Sequence, residues 1–453
     1  MYSRNNVWAI LLVVSSILTS PAVQADTDYL ALSKDILIGT DAQREAAVDT
    51  FIEQGGTENI PTLILLMRIG GSHVATQRAL LALTGERLTT WRKAMLYQEA
   101  HPEIQPNPSY HQLKLWYWSG IDEQFLSLFS QPIDRDAMRI RFEEITWGGV
   151  RFDEIPSLDD PALIAAQEAD YLLDTDLVFG IEINGDVRAY PLRIMGWHEM
   201  LNDVIGGVPV SLAYCTLCGA GILFETRLHE YASPFTFGSS GLLYRSNKLM
   251  FDRQTLSLWN QFTGEPVSGE LAHSGIALKI RPTTITTWEA WRNKHPDTQV
   301  LSLQTGHIRD YDSGVAYREY FSSPDLMFPT LTDQSRLHQK DQVYGIRTTG
   351  GAKAWPIDAF TTEPVINDRV GFSNVVLIGD ADTQTVRAFE RGDAIFSGDG
   401  SLLKGPKGIW QVSENALIGP DGQRLPRISG HVAYWFAWDG YLGAKSELYE
   451  SSK

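Results

Sequence analysis

The segment LVFGIEINGDVRAY, residues 177–190, has two short apolar runs on either side of Asn184-Gly185. Apolar runs of this length are typical of β-strands, and Asn-Gly supplies the positive φ angles that a type I′ turn needs. The segment therefore predicts a tight β-hairpin. Residues 208–214 and 221–226 have the same character, so we expect the strands to continue beyond the hairpin.

The hairpin segment is repeated later in the chain. A shift of 165 residues places residues 179–225 on residues 344–390 without a gap, and twelve of the 47 paired positions are identical. Turn residues fall in register: Gly185 pairs with Gly350, Pro191 with Pro356, Asn202-Asp203 with Asn367-Asp368 and Gly206 with Gly371. We interpret the body as mainly β and two-lobed. It consists of two tandem copies of one β-rich module, at residues 141–308 and 341–453, joined by a linker at residues 309–340.

The N-terminal part of the chain has a different pattern. Apolar residues recur at three- and four-residue steps from residue 41 to about residue 119, which indicates amphipathic helices. Pro61 is well placed at a helix start, and Gly70-Gly71 is a stop signal. We expect further helices over residues 75–83 and 88–97.

The paired helices and the phrase Ile60-Pro61-Thr62-Leu63-Ile64 resemble a HEAT-like repeat. One or two such units cannot bury their apolar faces alone. We therefore expect residues 26–140 to form an α-helical HEAT-like cap that packs on the body. A protein partner that binds the cap is one interpretation of this surface, and a packing appendage is the other.

The first 25 residues have the pattern of a secretory signal peptide. A basic start, Met1 to Arg4, precedes an apolar run over residues 7–18, and Val23-Gln24-Ala25 offers small residues before a cleavage site. An uncleaved N-terminal anchor is the alternative. No later segment approaches 18 consecutive apolar residues, so we expect an exported protein, periplasmic or extracellular, with no transmembrane segment after cleavage.

The charge balance argues against one class of partner. The formal net charge is −17, and the acidic residues are spread along the chain. Binding to nucleic acid requires a basic surface that neutralises phosphates. We therefore exclude nucleic acid, and the physiological partner stays open.

The chain has two cysteines, and both lie in the segment YCTLCG, residues 214–219. A C-x-x-C-G sequence in a turn between strands is typical of a metal knuckle, because both sulfurs point to one ion. Zinc and iron sites of this type need further ligands, and Cu(I) accepts two or three. We predict a transition metal, copper, zinc or iron, at Cys215, Cys218 and His198, with Met250 as a thioether candidate for copper.

Two other interpretations of the cysteine pair stay open. In an oxidising compartment Cys215 and Cys218 can close into a disulfide that exchanges with partner thiols, as in a periplasmic thiol–disulfide oxidoreductase. The pair can also be an inert disulfide in a non-catalytic scaffold or interaction protein. A loop this short contributes roughly 2 kcal/mol as a staple, which makes a purely structural role weak.

The internal repeat separates residues that serve the fold from residues that serve chemistry. Residues shared by both copies are explained by the fold, whereas residues special to the first copy are functional candidates. The 165-residue shift replaces Cys215 by Asp380, Cys218 by Thr383, His198 by Glu363 and Glu199 by Pro364.

The polar run over residues 239–247 is followed by Asp252-Arg253. In the second copy only the short segment at residues 398–403 corresponds to it. We take Glu199, Tyr244, Asp252 and Arg253 as candidate catalytic residues. Asp252-Arg253 is either a structural ion pair or an acid beside an anion clamp. The second copy is a degenerate module on this interpretation.

Several motifs together resemble the bacterial family known as domain of unknown function 3179. They are AYPLR at 189–193, WHE at 197–199, GGVPV at 206–210, YCTLCG at 214–219, SGLLY at 240–244, MFDRQT at 250–255 and HPDT at 295–298. The resemblance runs from about residue 142 to the end of the chain. It implies an exported β-rich protein, often with helical repeats at its start, and it brings no established reaction. Thr216 departs from the proline usual in the family, which loosens a rubredoxin-like knuckle and removes no ligand.

Overall fold

The computed structural model describes residues 27–70, 74–129, 138–400 and 402–451. Its N-terminal region is helical and the remainder is β-rich, as predicted. The predicted signal peptide lies outside the described residues. Within them, no helix has both the length and the apolar character needed to cross a membrane.

The N-terminal region contains α1 (Tyr29–Ile38), α2 (Asp41–Glu53), α3 (Ile60–Gly70), α4 (Val74–Thr84), α5 (Trp91–Ala100) and α6 (Tyr110–Ser119). Pro61 is the second residue of α3, where its missing N–H has no intrahelical acceptor to lose. The helix predicted over residues 88–97 begins three residues later, at Trp91. Thr90 caps it there, because its hydroxyl accepts a hydrogen bond from the Lys93 amide.

The helical region packs on the body. Its buried side chains form one apolar cluster with Leu242, Tyr244, Leu249 and Phe251 of the body. Arg245 of the body adds an ion pair with Glu99 of α5, at 3.8 Å between Nε and Oε1. The expected packing is confirmed, whereas the HEAT-like character stays a prediction.

The first half of the body contains three five-stranded sheets. Its elements are β1 (Ile145–Trp147), β2 (Leu158–Asp159), β3 (Leu163–Ala165), β4 (Leu177–Ile183), β5 (Asp186–Pro191), α7 (Leu192–His198), β6 (Met200–Ile205), β7 (Val208–Cys215), β8 (Ala220–Glu225), β9 (Phe237–Tyr244), β10 (Asn247–Asp252), β11 (Leu258–Asn260), β12 (Glu265–Ser268), β13 (Lys279–Arg281), β14 (Thr284–Thr287), α8 (Trp288–Lys294) and β15 (Gln299–Leu301). The sheet orders are β1-β9-β10-β11-β12, β13-β8-β7-β6-β2 and β14-β4-β5-β15-β3.

The second half contains a four-stranded and an eight-stranded sheet. Its elements are α9 (Arg318–Ser322), β16 (Gln342–Thr348), β17 (Gly351–Pro356), β18 (Val365–Val370), β19 (Ser373–Asp380), β20 (Thr385–Glu390), β21 (Ser397–Gly398), β22 (Leu403–Gly405), β23 (Gly408–Val412), β24 (Ala416–Ile418), β25 (Arg424–Ile428), β26 (Gly430–Tyr434), α10 (Trp435–Leu442) and β27 (Ser446–Leu448). The sheet orders are β26-β16-β17-β27 and β18-β19-β20-β25-β24-β23-β22-β21. Tyr344 and Val375 share one apolar cluster with Phe179 and Leu212, so the two halves pack on a common core.

The predicted hairpin is confirmed as β4 and β5. The strands pair antiparallel from Val178 opposite Pro191 to Ile183 opposite Asp186. Asn184 and Gly185 have φ angles of 53° and 84°, as a type I′ turn requires.

The elements of the second half follow those of the first at a constant offset. β4, β5, β6, β7 and β8 begin and end 165 residues before β16, β17, β18, β19 and β20. Later in each half comes a strand–helix–strand unit, which is β14-α8-β15 in the first half and β26-α10-β27 in the second. Its last strand pairs parallel with β5 in the first half and with β17 in the second.

Partly buried polar contacts repeat as well. Asp203 accepts hydrogen bonds from Arg188 and from the Tyr190 hydroxyl. Asp368 of the second half accepts bonds from Lys353 and from the Trp355 indole N–H. These contacts lie at positions that both halves share, and they serve the fold.

Candidate functional site

The cysteine pair lies in the tight turn between β7 and β8, as predicted. Cys215 is the last residue of β7, and β8 begins at Ala220. Gly219 closes the turn with a φ of 60°, a conformation that favours glycine. The two cysteines form a disulfide bond, and their side chains are 2% and 0% exposed.

Groups from outside the first half hold this turn. The backbone amide of Tyr434 donates to the Cys218 carbonyl at 2.8 Å. The Tyr320 hydroxyl donates to the Leu217 carbonyl at 2.7 Å. Tyr434 belongs to the second half, and Tyr320 belongs to the segment predicted as a linker. That segment therefore also forms part of the wall of the site.

The β9–β10 hairpin brings a strained turn to the disulfide. Arg245 and Ser246 have φ angles of 48° and 63°, which are unfavourable for residues other than glycine. The Ser246 carbonyl oxygen lies 3.6 Å from Sγ of Cys218. A reduced Cys218 thiol therefore has a hydrogen-bond acceptor in place.

A buried carboxylate lies beside the turn. Glu199 follows α7 in the left-handed conformation, with a φ of 58°. Its carboxylate accepts hydrogen bonds from the Thr216 hydroxyl at 2.9 Å, from Ser239 at 3.2 Å and from Tyr317 at 3.4 Å. Nζ of Lys248 lies 3.0 Å from Oε2 of Glu199. Thr216, one of the two residues between the cysteines, is thereby tied to a buried ion pair.

The electrostatics of this pair follow from its burial. Burial lowers the pKa of Lys248, because the ammonium is removed from water, and the Glu199 carboxylate opposes that shift. The charge of Lys248 is therefore stabilised by the Glu199 carboxylate. Removing either one leaves a buried charge without a counter-ion.

A cavity of about 330 Å³ lies against the turn. Thr216 and Gly219 of the turn line it, together with aromatic side chains from both halves. The other lining residues include Asp176, Arg193, Tyr214, Ser313, Phe321, Gln342, Gln384 and Tyr434. Neither cysteine is among the residues that line the cavity, so it borders the turn and not the disulfide itself.

The structure does not bring His198 to the sulfurs in the arrangement that a metal needs. Nδ1 of His198 lies 2.8 Å from the Pro156 carbonyl, and Nε2 lies 2.6 Å from the Tyr311 hydroxyl. A carbonyl can only accept, so Nδ1 carries the proton and Nε2 accepts from Tyr311. Burial lowers the pKa of His198 to about 4, so the ring is neutral at pH 7.

Across the described ranges, no group of three or more histidine, cysteine or acidic side chains has a geometry that could hold a metal ion. Metal binding at Cys215, Cys218 and His198 requires reduction of the disulfide and a new orientation of the imidazole. It stays a prediction. Met250 is fully buried and belongs to the same apolar cluster as both cysteines.

Asp252 and Arg253 do not form the predicted ion pair with each other. Asp252 is fully buried and accepts hydrogen bonds from the Thr255 amide and hydroxyl and from the Trp259 indole. Arg253 instead pairs with Asp159 at 2.6 Å. Asp252 is the last residue of β10, and Arg253 is the first residue of the turn that follows it.

Tyr244 lies at the interface between the helical region and the body. It belongs to the apolar cluster that joins the two regions, and its ring packs edge-on against Tyr441. Burial and the nearby Glu144 carboxylate raise its pKa. These contacts give Tyr244 a packing role. Among the four predicted catalytic candidates, Glu199 is the one that forms a hydrogen bond with the cysteine turn in the described part of the chain.

Sequence reasoning missed Lys248 and the tyrosines of the site wall. Lys248 lies in β10, whose six residues are all buried, and a lysine in such a strand is the signal that was available. Tyr317 and Tyr320 lie in the segment predicted as a linker, where no pattern pointed to the cysteines.

A buried disulfide in a strand turn, joined to an ion pair, marks the candidate site of this β-rich protein. The model of a family described as "Protein of unknown function (DUF3179)" matches residues 152–444. The chain belongs to this family. No curated protein matches the chain. No solved structure matches it.

Proposed function

We propose that the chain is a thiol–disulfide oxidoreductase in which Cys215 and Cys218 alternate between a disulfide and a dithiol. The observation that carries this proposal is the hydrogen bond from Thr216, inside the C-x-x-C turn, to the buried Glu199–Lys248 pair. Burying two charges is expensive, and an inert staple gains nothing from them. Titratable groups held in such environments cluster at functional sites.

The reaction begins with attack by a substrate thiolate on Sγ of Cys215. A mixed disulfide forms between the substrate sulfur and Cys215, the Cys215–Cys218 bond breaks, and Cys218 leaves as a thiolate. Cys218 then takes up a proton equivalent to the one that the attacking thiol released. The Ser246 carbonyl, 3.6 Å away, accepts the new S–H. A second substrate thiol resolves the mixed disulfide and completes the two-electron reduction.

Glu199 and Lys248 are positioning residues in this scheme. Glu199 fixes the rotamer of Thr216 and so holds the turn between the two sulfurs. The Lys248 ammonium adds positive charge to the same buried region, and a nearby cation favours a thiolate.

The compartment belongs to the same proposal. The signal-like pattern at residues 1–25 supports export, and an oxidising compartment allows a disulfide to persist. The HEAT-like cap then serves as packing for the body or as a surface for a partner.

We further infer that the body arose as two tandem copies of one module. The constant 165-residue offset of five strands supports this inference, as do the matching contacts of Asp203 and Asp368. The second copy has Asp380 and Thr383 in place of the cysteines and Pro364 in place of Glu199. The proposed chemistry is therefore confined to the first copy.

The test is exchange in the folded protein. Native protein is incubated with dithiothreitol buffers of graded potential, trapped by alkylation and analysed by mass. We expect a reversible two-electron transition at a potential within the range of thiol–disulfide oxidoreductases, about −270 to −120 mV. The transition is absent in Cys215→Ser. A disulfide that resists reduction until the protein unfolds would overturn the proposal.

A further inference from the structure

We infer that the second half of the body binds a small multivalent oxyanion of the phosphate class, in a cavity of about 740 Å³ that Lys294 and Arg387 line. This inference goes beyond the redox proposal and does not depend on it. The cavity lies in the region of the second half that corresponds to the cysteine turn of the first.

The cavity lies against the turn between β19 and β20. Asp380 and Thr383, which stand where the first half has its cysteines, both line it. Across the two strands, Asp380 lies opposite Thr385, and Ile378 lies opposite Arg387. Alternate residues of a strand and their direct partners share one face of a sheet. All four line the cavity, so this face of the sheet forms its wall.

Three cations share one carboxylate beside this wall. Oε1 of Glu414 lies 2.7 Å from Nζ of Lys294 and 2.8 Å from Nη2 of Arg387. Its Oε2 lies 2.8 Å from Nη1 of Arg427, and Nε2 of His295 lies 3.4 Å from Oε1. Three full positive charges minus one negative charge leave an excess of two.

This crowding disfavours the charge of the lysine. Burial and the neighbouring Arg387 guanidinium lower the pKa of Lys294, and the Glu414 carboxylate opposes both effects. A second anion beside Lys294 and Arg387 would offset the repulsion that one carboxylate leaves. An anion with two charges matches the excess of two, whereas a neutral molecule does not reduce it.

Hydrogen-bond donors are available beside these charges. Lys294 has three N–H donors and uses one for Glu414. Arg387 reaches Glu414 through Nε and Nη2, and its Nη1 has no hydrogen bond with the described residues. Thr286, which also lines the cavity, accepts from the Thr385 hydroxyl at 2.7 Å, and its own proton has no acceptor in the described part of the chain. Phosphate oxygens accept hydrogen bonds from ammonium, guanidinium and hydroxyl groups.

The lining also contains acidic residues, and these are exposed. Asp380 and Asp399 line the cavity at its solvent side, where water and salt screen their charges. The Asp380 carboxylate accepts hydrogen bonds from the amides of Asp382 and Thr383, so it is held in the turn. We therefore expect it to weaken the binding of an anion without preventing it.

The fold does not account for the cations of the cluster. The 165-residue shift places Arg387 on Ile222, a fully buried apolar residue. Lys294, at the end of α8, corresponds to Tyr441 in α10 when the tryptophans of the two helices are aligned. Positive charges at positions where the other half has an apolar or aromatic side chain favour a local binding role.

The first test is calorimetric titration of the native protein with inorganic phosphate at pH 8, where most of it is the dianion. Nitrate, a monovalent oxyanion, is titrated at the same ionic strength. We expect phosphate to bind with a Kd of about 1 mM or below, and nitrate to bind at least about tenfold more weakly.

Lys294→Gln tests the location. It removes one of the cations that line the cavity and leaves the length of the side chain similar. Lys407→Gln is the matched control, because it changes the net charge equally and Lys407 forms a one-to-one pair with Asp421 at 2.7 Å. We expect the Kd for phosphate to rise about tenfold in Lys294→Gln and to stay unchanged in Lys407→Gln.

Asp380→Asn tests the sign of the effect. An asparagine side-chain oxygen can keep the hydrogen bonds from the amides of Asp382 and Thr383. Because the variant removes a negative charge from the lining, phosphate should bind about twofold more tightly.

Thermal unfolding separates binding from the stability of the fold. Phosphate should raise the unfolding temperature of the native protein and of Lys407→Gln, and it should have little effect on Lys294→Gln. An ion pair with a purely structural role predicts the opposite: a less stable Lys294→Gln that responds to phosphate as the native protein does.

The inference is overturned by the absence of saturable phosphate binding, by equal affinity for phosphate and nitrate, or by an unchanged Kd in Lys294→Gln. Equal weakening in Lys294→Gln and Lys407→Gln also overturns it, because that result shows a general effect of surface charge. Weaker binding in Asp380→Asn does the same. None of these results bears on the disulfide, which the redox titration tests separately.

Discussion

Nζ of Lys248 lies 3.0 Å from Oε2 of Glu199, and the two side chains are only 4% and 11% exposed. Little water reaches either charge, so each is stabilised by the other. Thr216, between the two cysteines, donates to the same carboxylate. A change in this pair should therefore be felt both in stability and at the disulfide.

Lys248→Met should lower the free energy of unfolding by about 3–5 kcal/mol, because it leaves the Glu199 carboxylate buried without a counter-ion. The double variant Glu199→Gln/Lys248→Met should recover most of this loss, since no charge is then buried. Urea unfolding of the two variants measures both values. A double variant no more stable than the single one contradicts the paired-charge explanation.

Reduction of the Cys215–Cys218 disulfide should lower the free energy of unfolding by only about 2 kcal/mol. The two cysteines are three residues apart, and so short a loop restricts the unfolded chain little. Urea unfolding with and without reductant gives the difference, and Cys215→Ala/Cys218→Ala should not respond to reductant. A loss above about 5 kcal/mol would indicate a structural staple instead.

Stability should fall as the pH is lowered through the titration of His198. Its pKa is lowered by burial from an ordinary 6.5 to about 4, so the unfolded chain binds more protons than the native chain between these values. Stability is therefore full above pH 6.5 and is lost as the pH falls towards 4. The group contributes about 3 kcal/mol over this interval.

Urea unfolding at pH 7, 6, 5 and 4 measures this slope. His198→Asn should show a shallower slope, and the remainder should come from other groups such as His431, whose pKa is lowered to about 3. An unchanged slope in His198→Asn would show that the imidazole is accessible to protons in the folded protein.

Gly180→Ala and Gly345→Ala should be destabilising to a similar extent, by about 1–3 kcal/mol each. A Cβ at Gly180 would overlap the ring of Trp291, and a Cβ at Gly345 would overlap the ring of Trp438. Thermal unfolding of the two variants compares the same packing in the two halves. A clear effect in one variant alone would argue against a shared module design.

Metal analysis distinguishes the redox proposal from the predicted metal site. Protein purified anaerobically under reducing conditions should contain well under one equivalent of copper, zinc or iron, because both nitrogens of His198 have protein partners. About one equivalent, lost in both Cys215→Ser and His198→Asn, would instead support the three-ligand site.

Local signals carried most of the correct predictions. The Asn184-Gly185 hairpin, the start of α3 at Pro61 and the strand–turn–strand setting of the cysteines all follow from short-range backbone preferences. The cysteine turn could be found because two thiols three residues apart are rare in a chain of this length. Glu199 was found by comparing the two copies.

The sequence alone did not allow us to predict contacts between residues that are far apart along the chain. His198 and Cys215 are close along the chain, but the His198 ring turns towards Tyr311, which lies far along the chain. Lys248 reaches Glu199 only because β10 pairs with β9 beside the cysteine turn. Pairings of this kind depend on how sheets meet, and periodicity within one strand does not encode them.

The hydrogen bond from the Tyr434 amide to the Cys218 carbonyl can form only after Tyr434 has been synthesised. The cysteines leave the ribosome long before Tyr434, by on the order of ten to forty seconds at ordinary rates of synthesis. During that interval the thiols exist without the wall that later surrounds them. The chain therefore cannot complete its site before Tyr434 has been synthesised, so a chain that terminates before this residue has the cysteines without the contacts that later enclose them.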